Sequence, residues 1–179
     1  MSASIARFMR RIGALVVMAL GVIALGVMAL GLMPAAAGAI SPERFLGTWH
    51  EIARTEPLFE RGLVRVSATY GRLPDGRISV FNRGFDPVSG QWRSIQGTAR
   101  FIGDPREGRL AVTFFPPFSA GLNIVAVAPD YSWAVLTGDG RLFAWLLARS
   151  ANPSRAVRQR LLAAAAKAGV AVDRLTFPQ

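Results

Sequence analysis

Turn signals recur along residues 40–179 at a pitch that leaves room only for short strands. Between them lie eight segments rich in β-branched and aromatic residues, at 47–54, 64–73, 78–85, 91–101, 109–115, 122–128, 131–137 and 142–149. Pro74-Asp75-Gly76, Asp86-Pro87 with Gly90, Gly103-Asp104-Pro105, Pro129-Asp130 and Gly138-Asp139-Gly140 supply the turns. Connections this tight join antiparallel neighbours, because a parallel pair needs a crossover of about a dozen residues or more. An open meander of eight strands would leave two bare edges. The expected fold is therefore all-β, an eight-stranded antiparallel up-and-down barrel. One helical pattern follows at 153–168, with Asn152 or Ser154 as cap and Gly169 as stop, and then a short apolar strand at 170–177.

Side-chain alternation sharpens this. Val64, Val66, Ala68 and Tyr70 alternate with Arg65, Ser67 and Thr69, whereas 142–147 is apolar on both faces. One face then lines an interior and the other is covered, with the helix as the available cover. A barrel of eight strands is about the size at which the interior holds one small ligand.

Composition removes most chemistry. There is no cysteine and a single histidine, His50, so disulfides, thiol nucleophiles, cysteine zinc sites and multi-histidine metal sites are excluded and no cofactor is expected. Residues 40–179 carry 18 Lys plus Arg against 11 Asp plus Glu, net +7, with the arginines scattered. No basic run or RNA-binding aromatic motif frames them, which argues against a nucleic-acid partner. A diffuse positive surface suits an anionic membrane better, or is simply a solvated face.

Residues 1–39 read as a targeting segment. Arg7, Arg10 and Arg11 precede 22 residues without a charge, Ile12 to Met33, and Ala35-Ala36-Ala37 or Ala37-Gly38-Ala39 fits a small-residue cleavage site. A run of that length also reaches the roughly 20 residues that span a bilayer, so an uncleaved anchor is the competing reading. Either way residues 40–179 are expected on the far side of the membrane from the arginines, in the periplasm or cell envelope.

Gly47-Thr48-Trp49 opening the first strand, Asp130-Tyr131 before the seventh and Arg149 ending the eighth resemble the three signature regions of the lipocalins. The likeness is to the bacterial lipocalin and apolipoprotein D branch. It extends through Gly47–Arg54, Phe59-Glu60-Arg61-Gly62-Leu63, Ala68-Thr69-Tyr70, Asn82-Arg83-Gly84-Phe85-Asp86-Pro87, Gly90-Gln91-Trp92, Gly97-Thr98-Ala99 and Trp145-Leu146-Leu147-Ala148-Arg149. The resemblance implies a carrier of a hydrophobic or amphiphilic ligand, not an enzyme. Many bacterial members of the branch carry a lipidated cysteine; this sequence has none. His50 stands where the branch more often has tyrosine, and its parity is opposite to that of Trp49.

In such a barrel the start of the first strand, the sixth turn and the end of the eighth strand meet at one end, which brings Trp49, Asp130, Tyr131 and Arg149 to a closed base as structural residues. The loops at 55–63, 86–90, 116–121 and 138–141 fall at the other end, the expected ligand entrance. Phe59, Phe85, Phe115 and Phe118 crowd that rim, either as loop packing or as contacts to an acyl chain or membrane.

Parity carried from Trp49 and the apolar residues predicts a lumen lined by Glu51, Ala53, Val66, Ala68, Val80, Asn82, Ile95, Val112, Phe114, Leu122, Ile124, Trp133, Val135, Phe143, Trp145 and Leu147, with Arg93 at the inner rim to meet a carboxylate or phosphate. A wall this apolar suits an acyl chain, each buried methylene contributing roughly 0.8 kcal/mol. The expected ligand is a fatty acid or lysophospholipid. Two other readings are a lipid-acting enzyme using Glu51 or Asp139, and a tethered barrel that only stabilises the envelope.

Overall fold

The computed structural model describes residues 39–55 and 61–178. The basic and apolar parts of the N-terminal segment, the Ala35-Ala36-Ala37 cleavage candidate and Phe59 lie outside the described residues. A one-turn helix α1 (Pro42–Phe45) leads into β1 (Gly47–Thr55), β2 (Val64–Arg72), β3 (Ile78–Asp86), β4 (Gln91–Phe101), β5 (Arg109–Phe115), β6 (Phe118–Val127), β7 (Trp133–Gly138) and β8 (Ala144–Ala148). Helix α2 (Arg155–Lys167) and a two-residue strand β9 (Leu175–Thr176) follow.

Each strand from β2 to β8 pairs antiparallel with the next, and β1 pairs with both β8 and β2, which closes the ring. The fold is an eight-stranded closed antiparallel barrel. β1 meets β2 only over Gly47–His50; above that, β9 lies against Arg54 and Thr55 outside the ring, and Arg65 donates its N–H to the Pro178 carbonyl at 3.0 Å.

Two apolar cores result, one on each face of the sheet. Inside lie Trp49, Tyr70, Val80, Leu110, Leu136 and Leu147 among others. Outside, Ile52, Val135, Ala144, Leu146 and Ala148 pack against Leu161 and Ala165 of α2. That accounts for the doubly apolar later strands. α2 is held in frame by the Ser154 hydroxyl, which accepts from the Val157 N–H at 3.3 Å, and ends at Gly169 with φ +80°.

The larger departures from expectation have local reasons. β6 begins at Phe118 rather than Leu122, because Phe115 pairs with Phe118 across the Pro116-Pro117 tip. β7 begins at Trp133, because Tyr131 adopts φ +60° and donates to the Ala128 carbonyl at 2.8 Å in the turn. The terminal strand shrinks to Leu175–Thr176, since Val172–Arg174 coils into a 3-10 turn. α1 carries no long periodic pattern, only a proline at its first turn.

Candidate ligand-binding site

The site is built upward from its floor. Gly47 takes φ +93°, a conformation that favours glycine, and a side chain there would press within 3.3 Å of the Arg149 guanidinium. That guanidinium lies 3.7 Å over the Trp49 ring and donates to the carbonyls of Thr48, Arg44 and Leu46 at 2.9, 2.7 and 2.8 Å. Burial lowers its pKa from the ordinary arginine value, which still leaves it charged. Trp49 Nε1 donates to the Phe45 carbonyl at 2.8 Å, and Phe45 stacks between Trp49 and Tyr70 at 5.1 and 5.2 Å. Tyr131 accepts from the Ser41 N–H at 2.6 Å and carries Arg44 on its ring at 4.2 Å. Trp49, Tyr131 and Arg149 thus close the base together with α1, while Asp130 turns instead to the Ser132 N–H and hydroxyl, which hold its carboxyl below its usual range.

Above the floor the ladder fixes which side chains face inward. Val80, Val112, Ile124 and Leu147 are fully inside and buried, and Ala68, Phe114, Leu122 and Trp145 pack against them half-buried. Val66 is buried and keeps inward parity. Asn82 and Ile95 face each other across β3 and β4, with Ile95 open to solvent. The Asn82 Oδ1 is buried with no hydrogen-bond donor among the described residues. Phe143 sits above Trp145, ring centroids 6.4 Å apart, at the rim. Gly97 lies on the same face, and a Cβ there would collide with the Thr113 carbonyl oxygen at 2.5 Å and the Phe114 ring at 2.7 Å, so the missing side chain lets β5 and that ring lie close across β4.

Three predicted lining residues point the other way. Ala53 belongs to the outer core, because a bulge between Glu51 and Ala53 inserts Ile52 and reverses the parity of everything above it. Trp133 and Val135 also pack under α2; opposite Leu147 and Trp145 stand Ala134 and Leu136, which are the inward residues of β7. Arg93 has inward parity but lies at the exposed hairpin, bonded to Asp86 through Nε and Nη2 at 2.9 and 2.6 Å. Asp86 is held below its ordinary pKa chiefly by Ser89, with Arg93 adding to it.

The same bulge brings in a residue that parity placed outside. Arg54 pairs opposite the inward Trp145, is 1% exposed, and donates to Glu51 Oε1 at 2.6 Å and to the Leu63 carbonyl at 3.1 Å. A buried carboxylate and guanidinium therefore share the interior wall of β1. The one sequence hint was the adjacent apolar pair Ile52-Ala53 between two charges, which breaks strict alternation. Among the described residues no group of three His, Cys, Asp or Glu side chains could hold a metal.

A closed barrel plugged at one end, with an apolar interior whose side chains become half-buried toward the other, fits the class of barrels that bind one small ligand inside. The sequence matches the family model described as a lipocalin-like domain over residues 40–179. Outer membrane lipoprotein Blc of Citrobacter freundii is 42% identical over 135 residues, covering 75% of this chain and 76% of that protein. Its counterpart from Escherichia coli strain K12 is 41% identical over 137 residues, 76% of this chain and 77% of that one. Among solved structures, insecticyanin of the tobacco hornworm Manduca sexta has the same fold, with a TM-score of 0.65 at 18% identity over 83% of this chain and 86% of that chain. The chain belongs to the lipocalin family, in its bacterial and apolipoprotein D-like branch. It is a binding protein for hydrophobic ligands, not an enzyme.

Proposed function

We propose that this lipocalin carries a single-chain amphiphile, a fatty acid or lysophospholipid, in the bacterial cell envelope, in contact with anionic membrane surfaces. The observation that carries the ligand class is the change of wall with height: a packed floor of buried aliphatic and aromatic groups, then Ala68, Phe114, Leu122 and Trp145 only half-buried and Ile95 open. An acyl chain fills such a wall without needing hydrogen bonds. Asn82 stands beside Ile95, and its buried acceptor oxygen is matched by a glycerol hydroxyl, which a lysophospholipid has and a fatty-acid carboxylate lacks. Location rests on the relatives named outer membrane lipoprotein and on the order of arginines, apolar run and small residues at 7–39, read as an export signal.

Tryptophan fluorescence tests the reading. Titrating a lysophospholipid or long-chain fatty acid is expected to change emission in the wild type. Trp145→Phe is expected to lose most of that change and bind modestly more weakly, while Trp92→Phe, on the outer face, behaves as wild type. A response carried by Trp92, or no binding of either lipid at micromolar concentration, refutes it.

A further inference from the structure

The loops joining β3 to β4, β5 to β6 and β7 to β8 all emerge at the open end, and they expose apolar side chains that nothing in the fold requires there. Val88 at the first tip is 96% exposed, Phe115 and Phe118 at the second are 64% and 56%, and Leu142 at the third is 67%. Phe143 beside Leu142 and Phe177 beside β9 are exposed as well. At the base, the single large apolar side chain so exposed among the described turn residues is Ile102. Surface hydrophobics scattered singly need no explanation; a set gathered on three successive tips at one end does.

Two arginines flank the open end as well. Beside the open end, on the outer face of β2–β4, Arg65 lies 4.2 Å over the Phe85 ring and Arg83 3.9 Å over the Trp92 ring, with Phe85 and Trp92 edge to face at 5.5 Å. Neither arginine has a carboxylate partner among the described residues, and Trp92 is exposed. Turn charges are paired at both ends: at the base Arg77 with Asp75 at 2.7 Å, Arg106 with Asp104 at 2.8 Å and Arg72 with Glu43 at 2.7 Å, and at the β3–β4 tip Arg93 with Asp86 at 2.6 Å, which leaves Arg65 and Arg83 as unpaired cations of that face. Exposed apolar tips flanked on one side by two guanidinium groups without carboxylate partners and by an amphipathic indole match the layering of a bilayer with anionic headgroups: apolar inside, indole at the interface, cations on the phosphates.

We propose that the open end of the barrel docks on an anionic phospholipid bilayer, with Val88, Phe115, Phe118 and Leu142 entering the headgroup layer and Arg65 and Arg83 meeting lipid phosphates. This sharpens, and for its envelope setting rests on, the carrier reading above, and it faces the lumen toward the membrane from which an amphiphile is drawn.

Because the chain has no native cysteine, one engineered cysteine labels one site. Val88→Cys, Phe118→Cys and Leu142→Cys, with Ile102→Cys as the matched apolar position at the base, are labelled in the full chain with an environment-sensitive fluorophore. The labelled chains are then mixed with vesicles of phosphatidylglycerol and phosphatidylcholine, or of phosphatidylcholine alone. The three rim labels are expected to shift to the blue and lose quenching by iodide with the anionic vesicles, and the Ile102 label to stay unchanged. Arg65→Gln with Arg83→Gln is expected to raise the lipid concentration for half the rim response roughly thirtyfold. Silent rim labels, an equal response at Ile102, or equal responses to both vesicle types overturn the proposal. So does a rim shift that grows with protein concentration without vesicles, which assigns the surface to a second copy. If the rim labels fail while lysophospholipid still quenches Trp145, docking alone is wrong; if they respond and no lipid enters the lumen, the carrier reading is wrong.

Discussion

The two ends of this barrel are built on opposite terms. At the base, the signature groups hold one another: one guanidinium joins three separate backbone carbonyls to the Trp49 ring, and α1 fills the mouth. At the open end, hairpin tips of β3–β4, β5–β6 and β7–β8 leave valine, phenylalanine and leucine in solvent. The difference locates stability low in the barrel and recognition high. Between the two lies the Glu51–Arg54 pair, a charged contact buried in a mostly apolar wall, and it offers the hardest test of that division.

Removing one member of that pair is expected to have the largest effect. Glu51→Ala takes a carboxylate away from the buried Arg54 guanidinium, and breaking a buried ion pair typically costs about 3–5 kcal/mol. Urea unfolding reads this directly. Replacing both members together, Glu51→Leu with Arg54→Met, is expected to recover most of the loss, since a buried ion pair often does no better than well-packed apolar groups of like volume. A single variant as stable as the wild type would mean that the interior wall of β1 is wet, and that the recognition zone reaches further down than the packing implies.

At the base itself, Arg149→Ala is expected to lower stability by about 1–3 kcal/mol, through the lost contact with Trp49 and the carbonyls left bare. The folded fraction should bind lipid as before. Unchanged melting with lost binding would exchange the roles of the two ends.

Most of this division was legible in the sequence. Eight strands, their order and the covering helix follow from turn chemistry, alternation and spacing, which are local signals, while Trp49, Tyr131 and Arg149 stand out through the resemblance to the lipocalin signature, and barrel geometry brings them to one end. What was not legible is parity across a defect. The bulge at Ile52 hands Ala53 to the outer core and Arg54 to the lumen, and no single-strand count anticipates an extra residue. β7 failed differently: both of its faces are apolar, so parity does not choose between Trp133 with Val135 and Ala134 with Leu136, and the space under α2 takes the first pair while Ala134 faces the interior beside Leu147. Arg93 was on the predicted face, but its hairpin supplies a carboxylate of its own.

Acid is expected to give the smallest and most local effect, and it sharpens the comparison by acting mainly at one end. Four carboxylates around the base have pKa values held below their ordinary range: Asp104 by the Arg106 side chain, Asp75 by the Arg77 N–H and then its guanidinium, Asp130 by Ser132, and Glu43 by its own backbone N–H and then Arg72. At the open end Asp86 is the one described carboxylate with such a lowered value. A pKa lower in the folded state means that the ionised form is favoured by folding. Its contribution is complete above the ordinary carboxylate range and is lost as pH falls below about 4 toward the folded values. Glu43, Asp75 and Asp130 are exposed and Asp86 and Asp104 partly so, and solvent keeps each contribution small, so global unfolding is not expected. Local loosening is. Amide protection factors, which correct for the intrinsic pH dependence of exchange, should fall between pH 6 and pH 3 for the base turns around Asp75, Asp104 and Asp130. They should hold for the Phe115–Phe118 hairpin, whose cross-strand pairing involves no carboxylate. If that hairpin loosens as much as the base turns, the base carries no special electrostatic share of the stability, and the contrast between the ends reduces to packing alone.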